Sequence, residues 1–311
     1  MRPVVLTIVA ALSITCCWAQ DLSPRAYLIT PLHSNAVNLT YSFYTGGLNL
    51  NGVIPVTGAT GTYNVQILNL YHSFGFFGRS ANIAGWIPYG MGSFQGSVLG
   101  TDRHIYRSGL FDSGFRLSVN LKGGSAMPIS QFVKWKQKTV VGASLRVVAP
   151  TGQYDPNKLL NWGTNRWAFK PELGYSQRFG RFLLDGYAGL WFFSTNEKFF
   201  FPSAPRPQKK SPIGSFEVHL SYDAKTFGGK TTPLWFSLDG NFWYGGSTNL
   251  GGRFNPATRQ TSSRVGFTAA VPLNRHQALK ASFSTGDYVR YGGNYRNVSV
   301  SWQYSWVGRS K

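Results

Sequence analysis

Ten ionisable side chains stand in the middle of segments whose other residues alternate between large apolar and small polar types. Five are basic, four are acidic and one is a histidine: Arg116, Arg146, Lys170, Glu172, Asp185, Glu217, His219, Asp239, Arg264 and Lys280. Lys170, Glu172 and Asp185 fall on neighbouring segments, so we expect ion pairs between strands. Unpaired charged side chains are rarely buried. The set therefore predicts a charged wall that faces water.

Nucleophilic catalysis is the chemistry that this set could best support. A hydrolase needs a serine activated by a histidine that a third group orients. His219 lies two residues from Glu217 and one predicted strand from Asp239. Clusters of this kind are often structural, and we predict an ionic network without catalytic residues, in a protein that is not an enzyme. An outer-membrane lipid hydrolase stays open as the alternative.

Metal and nucleotide sites find little support in the sequence. The five histidines are scattered, and both cysteines, Cys16 and Cys17, stand near the N-terminus, so no short-range set of metal ligands is present. The segment AKTFGGKT (224–231) resembles a phosphate loop, but Ala224 replaces its first glycine and the segment is a turn between predicted strands. We therefore predict no metal and no cofactor.

A large excess of basic residues indicates an anionic partner. Lys and Arg number 31 against 11 Asp and Glu, which gives a net charge of +20. Most of the excess falls in predicted loops: Arg166, Lys198, Arg206, Lys209, Lys210, Arg253, Arg259, Arg290 and Arg296. We expect these residues either to attract lipopolysaccharide or anionic solutes or to form a solvated rim. The aromatic residues alternate with small residues and not with basic ones, which argues against nucleic-acid binding.

The N-terminus has the pattern of a secretory signal peptide. Arg2 precedes an apolar run over residues 4–14, and Ala19 supplies a small residue at a cleavage site. We predict a signal peptide over residues 1–19 and a single domain over residues 20–311. Lipid attachment at one of the two nearby cysteines is the alternative.

Period-two alternation recurs through the rest of the chain, and helical periodicity is hard to find. In residues 297–306, for example, Val298, Val300, Trp302, Tyr304 and Trp306 alternate with small polar residues. Twelve such segments have about the 9–11 residues that a tilted transmembrane strand needs. They cover residues 37–44, 63–74, 81–89, 114–121, 139–149, 166–176, 182–193, 213–222, 234–244, 264–272, 277–285 and 297–306.

The connections between these segments differ in length in a regular way. Residues 45–62, 90–113, 150–165, 194–212 and 245–262 are long, whereas 75–80, 177–181 and 273–276 are short. Long loops on one rim and short turns on the other are typical of outer-membrane barrels. We predict an all-β, antiparallel, up-and-down transmembrane barrel of about twelve strands, with long extracellular loops and short periplasmic turns.

The direction of the apolar face follows from the size of such a barrel. Twelve strands enclose a space too wide for side chains alone to fill, so we expect a polar, wet interior and an apolar face toward lipid. The alternating aromatics Trp302, Tyr304 and Trp306 resemble the C-terminal signal that the outer-membrane assembly machinery reads, although Val307 to Lys311 follow it.

The central part of the chain, residues 142–189, resembles an outer-membrane family labelled "putative MetA-pathway of phenol degradation". The carrying residues are Pro150, Thr151, Gly152, Tyr154, Asp155, Asn161, Gly163, Asn165 and the run Lys170-Pro171-Glu172-Leu173-Gly174-Tyr175. The similarity extends through residues 237–246 and the layout of the strands. It implies a transporter-like barrel, with small aromatic or apolar compounds as solutes.

We therefore expect a monomeric barrel of the bacterial outer membrane that lets small solutes diffuse passively. Its partners would be membrane lipid and lipopolysaccharide, the barrel assembly machinery and a small-molecule solute. Besides the hydrolase, a structural or adhesive barrel without transport is the second alternative.

Overall fold

Strands make up nearly all of the regular structure in the computed structural model, which describes residues 23–49, 56–98, 100–158, 160–201, 204–224 and 234–308. The predicted signal peptide and most of the segment 224–231 lie outside these residues. The strands are β1 (Ser34–Asn49), β2 (Val56–Phe76), β3 (Arg79–Val98), β4 (Thr101–Leu110), β5 (Gly114–Lys122), β6 (Thr139–Val148), β7 (Ala168–Phe179), β8 (Phe182–Phe193), β9 (Asn196–Phe199), β10 (Arg206–Lys210), β11 (Ile213–Asp223), β12 (Trp235–Gly245), β13 (Thr248–Leu250), β14 (Arg253–Asn255), β15 (Gln260–Pro272), β16 (Gln277–Val289) and β17 (Gly292–Val307). A one-turn helix, α1 (Ile129–Phe132), and a 3₁₀ turn (Pro256–Thr258) complete the list. Among the described residues, no helix is long and apolar enough to cross a membrane.

The main sheet closes on itself as a barrel of twelve antiparallel strands. Its seam joins β1 to β17 over their whole length, from Ser34 opposite Val307 to Asn49 opposite Gly292. β4 and β5 together occupy one position in the barrel, because both pair with β3, along Tyr89–Val98 and Ala81–Trp86 respectively. The predicted fold class is confirmed, and both ends of the barrel chain lie on the rim of short turns.

The structure corrects three predicted loops. Residues 90–113 contain the hairpin of β3 and β4. The predicted loop 45–62, and the connection 286–295 between the last two predicted strands, are largely extensions of β1, β2, β16 and β17. These extensions carry mostly polar residues and glycine, and β4 is exposed along most of its length. Without a buried face, a strand has no alternation of apolar and polar residues by which to be recognised.

Two other predicted loops form a second, small sheet at the rim of long loops. Its strand order is β14, β13, β10 and β9, so it joins the segment between β8 and β11 to the segment between β12 and β15. We call this element the loop sheet. It lies at the rim opposite the ends of the barrel chain.

The apolar face of the barrel points outward. Val298 and Val300 of β17 are half exposed, whereas Ser301 is buried, and the same alternation holds around the wall. Trp302, Tyr304 and Trp306 also lie on the outer face, with ring centroids 6.3 and 5.8 Å apart. Their role as an assembly signal stays a prediction.

Candidate functional site

Residues 23–33, for which no role was predicted, lie inside the barrel. We call this segment the N-terminal plug. Tyr27 is 1% exposed, and its ring lies against Gly142 and Gly174, where a Cβ atom would come within 2.4 and 2.1 Å of ring carbons. Its hydroxyl hydrogen-bonds Ser144 Oγ at 3.0 Å and donates to Glu172 Oε1 at 3.1 Å. The Tyr27 ring can therefore pack directly against the backbone of the wall, because neither glycine has a side chain.

The residues before Tyr27 tie the plug to the barrel wall. Arg25 Nη2 lies 2.5 Å from Asp223 Oδ1, and the Arg25 backbone N–H donates to Asp185 Oδ2 at 3.2 Å. The N–H of Ala26 donates to the Tyr187 hydroxyl at 3.0 Å. Since these partners lie on β8 and β11, the plug is held by several strands and occupies the periplasmic half of the interior.

An ionic network crosses the interior above the plug. Lys170 Nζ lies 2.5 Å from Glu172 Oε2 and 2.9 Å from Glu217 Oε1. His219 continues the network, with Nε2 3.7 Å from Glu217 Oε2 and Nδ1 2.8 Å from Asp239 Oδ1. Lys170, Glu217, His219 and Asp239 are all buried. A polar wall facing water was expected, but at the level of this network the charged side chains are paired and buried. The reason is that the N-terminal plug occupies space inside the barrel that the strands alone would leave to water.

The other predicted interior residues are distributed around this layer. Arg116 Nη2 lies 3.4 Å from Glu172 Oε1, and Asp185 is bonded to the plug and makes no ion pair with Lys170, contrary to expectation. Arg146 lies over the ring of Trp86, and Arg264 over that of Tyr295 at 3.9 Å. Lys280 is exposed and forms no ion pair within the described part of the chain.

The arrangement around His219 differs from that of a hydrolase. Ser237 Oγ donates to Asp239 Oδ1 at 2.7 Å, the same carboxylate oxygen that His219 Nδ1 contacts. A nucleophilic serine would instead be bonded to the other ring nitrogen, and Nε2 of His219 faces Glu217. Within the described ranges, no cluster of three or more His, Cys, Asp or Glu side chains could hold a metal.

A cluster of buried aromatic side chains lies in the extracellular half of the interior. Trp162 lies at their centre, with ring centroids 4.6 Å from Phe111, 5.6 Å from Phe94 and 5.8 Å from Tyr63. Trp86, Trp191, Trp243, Val65, Ile67, Leu160 and Ile213 belong to the same buried cluster. Period-two alternation does not reveal this aromatic layer, although runs that are apolar on both faces, such as Leu190–Phe193, are a usable signal for it.

Arg166, one of the loop charges expected either to attract anions or to form a solvated rim, is instead buried beneath the loop sheet. It is 3% exposed, and Nη2 donates to Gln208 Oε1 of β10 at 2.5 Å. Burial lowers the pKa of Arg166 to about 10, so the guanidinium stays protonated at neutral pH. Asp112, the carboxylate nearby, accepts instead from Gly152 N at 2.9 Å and from the backbone and hydroxyl of Thr164. The other predicted rim charges are exposed or partly exposed: Lys198, Arg206, Lys209, Lys210, Arg253, Arg259, Arg290 and Arg296.

A pocket of about 910 Å³ lies in the barrel wall between β6 and β12. Its lining includes the interior-facing residues Ser144, Glu172, Gly189, Ser215 and Trp243. The lipid-facing residues of the lining are Ala143, Pro171, Leu173, Ala188, Leu190, Gly214, Phe216, Phe242 and Tyr244. We call it the wall pocket. It is lined by residues of both faces of the wall.

The strand pairing is interrupted beside the wall pocket. β7 and β8 pair at Phe169 and Phe192, and pairing resumes only at Glu172 and Gly189. Pro171 lies in the interruption and has no N–H to donate, which is why proline is rare inside sheets. Gly189 has no side chain on the interior side, where the Lys170 chain passes close to it. The β7–β8 pairing is therefore weaker beside the pocket than elsewhere along these two strands.

Comparisons with known proteins agree with this architecture. A family model described as "Putative MetA-pathway of phenol degradation" matches residues 46–304. No curated protein matches the chain. Among solved structures, the COG4313 outer membrane channel from Pseudomonas putida F1 is 18% identical with a TM-score of 0.73, over 92% of this chain and 100% of that one. The transport unit of the autotransporter AIDA-I from Escherichia coli is 11% identical with a TM-score of 0.53, over 93% and 94%.

Proposed function

The chain belongs to the outer-membrane family whose model is described as "Putative MetA-pathway of phenol degradation". From that premise we propose that the protein is a channel for passive diffusion of small apolar solutes, above all aromatic compounds. The observation that carries the proposal is the wall pocket, a mostly apolar pocket in the barrel wall whose lining includes both lipid-facing and interior-facing residues. No part of the proposed route needs an energy source, because an apolar solute moves down its own gradient into hydrocarbon.

The layers of the interior favour a sideways route over an axial one. A solute that enters from outside would meet the aromatic layer around Trp162 first. Directly below lie the buried pairs of Lys170 with Glu172 and Glu217, and breaking one such pair costs about 3–5 kcal/mol. The N-terminal plug then closes the periplasmic half. An apolar solute gains nothing from polar contacts that would offset this cost.

The lipid side of the wall pocket suits an apolar solute. Ala143, Ala188 and Gly214 leave room between the larger side chains of Leu173, Leu190, Phe216 and Phe242. Burial of apolar surface is favourable by roughly 25 cal/mol per Å², so a small aromatic ring would partition readily from the mouth into this pocket and on into the membrane.

The two contacts with the cell envelope that the sequence suggested belong to the same proposal. We propose that the exposed basic residues Lys198, Lys209 and Arg253 meet lipopolysaccharide at the rim, since phosphate groups attract such clusters. The rings of Trp302, Tyr304 and Trp306 would serve the assembly machinery during folding of a monomeric barrel.

Uptake of ring-labelled toluene tests the function. Cells that lack the protein, cells that carry it and cells that carry an unrelated polar-solute porin are compared, with labelled arabinose as the second solute. We expect the protein to raise the toluene rate and to leave the arabinose rate at the level of cells without it. A rise for arabinose alone, or for neither solute, would exclude an apolar-solute channel.

A further inference from the structure

Arg166 is a buried cation that forms no direct ion pair in the part of the chain that the structure describes. Its Nε and Nη1 donors are inaccessible to solvent and have no hydrogen-bond partner there, and only Nη2 is bonded, to the neutral amide of Gln208. The carboxylate of Asp112 acts on Arg166 through space, but its hydrogen bonds come from Gly152 and Thr164. A charge held in this way is costly unless an anion pairs with it.

The loop sheet above Arg166 supplies positive charge. Its strands carry five basic residues and one acidic residue: Lys198, Arg206, Lys209, Lys210, Arg253 and Glu197. Glu197 is exposed and makes no ion pair with Arg166. An anion that approached the mouth would therefore be attracted toward Arg166.

The aromatic layer beside Arg166 adds further donors. Trp162, four residues earlier in the same loop, packs against Phe111, and its Nε1 is buried without a partner within the described ranges. Nε1 of Trp191 is in the same state. Buried indole N–H groups usually have a hydrogen-bond acceptor, so a ligand here would combine a flat apolar ring with oxygen acceptors.

We propose that Arg166 binds the carboxylate of a small aromatic acid, so that the solutes of this channel include aromatic carboxylates as well as neutral rings. The guanidinium donates charge-assisted hydrogen bonds to the carboxylate, and the ring packs within the aromatic layer. This inference rests on the proposed function and names a substrate class for it.

Benzoate is the probe, and benzamide, which has the same shape and no charge, is its control. Binding to the full-length protein in detergent is measured by calorimetry for the wild type, Arg166→Gln, Arg166→Lys and the control Lys134→Gln, which removes an exposed charge outside the loop sheet. We expect benzoate to bind the wild type more tightly than benzamide. Arg166→Gln should weaken benzoate about ten- to a hundredfold, Arg166→Lys should weaken it less, and Lys134→Gln should leave it nearly unchanged.

Equal affinities for benzoate and benzamide in the wild type would overturn the proposal, as would undiminished benzoate binding by Arg166→Gln. Folding of Arg166→Gln is judged by heat-modifiable migration on gels. If this variant does not fold, two measurements test the proposal instead: the ratio of benzoate to benzamide affinity in the wild type, and the benzoate affinity of Arg166→Lys. Toluene uptake separates the two proposals: uptake without benzoate binding overturns only this inference, whereas benzoate binding without toluene uptake overturns the apolar-solute channel.

Discussion

Single residues inside the barrel have two roles: some fill space in the interior, and others neutralise buried charges. Tyr27 shows the first role, because its ring is seated on Gly142 and Gly174 and its hydroxyl is bonded to Ser144 and Glu172. Lys170 shows the second, because it stands between the carboxylates of Glu172 and Glu217. Both roles have measurable consequences.

Tyr27→Ala should release the N-terminal plug. The loss of a buried aromatic side chain costs about 3–5 kcal/mol, so this segment would lose one of its main contacts with the wall. We expect a larger single-channel conductance in planar bilayers. Tyr27→Phe keeps the ring and loses only the hydroxyl bonds, so its conductance should stay near the wild-type value. Equal conductance for Tyr27→Ala and the wild type would show that the plug does not limit ion flow.

Lys170→Met should destabilise the barrel, because it removes the cation that stands between the buried carboxylates of Glu172 and Glu217. We expect a loss of about 3–5 kcal/mol in the free energy of unfolding, measured with urea in lipid vesicles. Lys280→Met is the matched control. Lys280 is exposed and makes no ion pair among the described residues, so its loss should change stability by about 0.5 kcal/mol or less. A similar effect of both variants would contradict the buried network.

At the scale of elements, the sequence predicts a strand wherever one face of it meets lipid. The twelve strands of the barrel are predictable for this reason; in β17, for example, Val298 and Val300 alternate with polar residues. β4 and the loop sheet show no such alternation, because they lie above the membrane and carry mostly polar residues on both faces. The N-terminal plug could not be predicted from periodicity either. Its contacts are between Tyr27 and glycines more than a hundred positions away.

The outward direction of β17 gives a prediction at adjacent positions. Val300→Arg should cost about 2–4 kcal/mol if the residue lies near the membrane midplane. Ser299→Arg points inward, beside β16, whose Lys280 is already exposed on the interior side, and should cost much less. Folding yields into lipid vesicles measure both. A greater loss for Ser299→Arg would reverse the assignment of the two faces.

The whole molecule is a barrel with layers of different chemistry along its axis. Aromatic rings occupy the extracellular half, paired charges lie below them, and the N-terminal plug fills the periplasmic half. The wall pocket opens toward lipid beside the charged layer. Composition and alternation predicted the barrel and the residues of the charged layer. The pocket depends on the interruption at Pro171 and on the register of five strands, which a single sequence does not reveal.

The sideways route is tested most directly by filling the wall pocket from its lipid side. Gly214→Phe places a ring in the pocket, and a Cβ atom at this position meets its nearest neighbour at an ordinary 3.7 Å. Gly186→Phe places the same ring on the lipid face outside the pocket, with no atom within 4 Å of the new Cβ. We predict that uptake of ring-labelled toluene falls to the level of cells without the protein in Gly214→Phe and stays at the wild-type level in Gly186→Phe. Wild-type uptake by a folded Gly214→Phe variant would contradict the account.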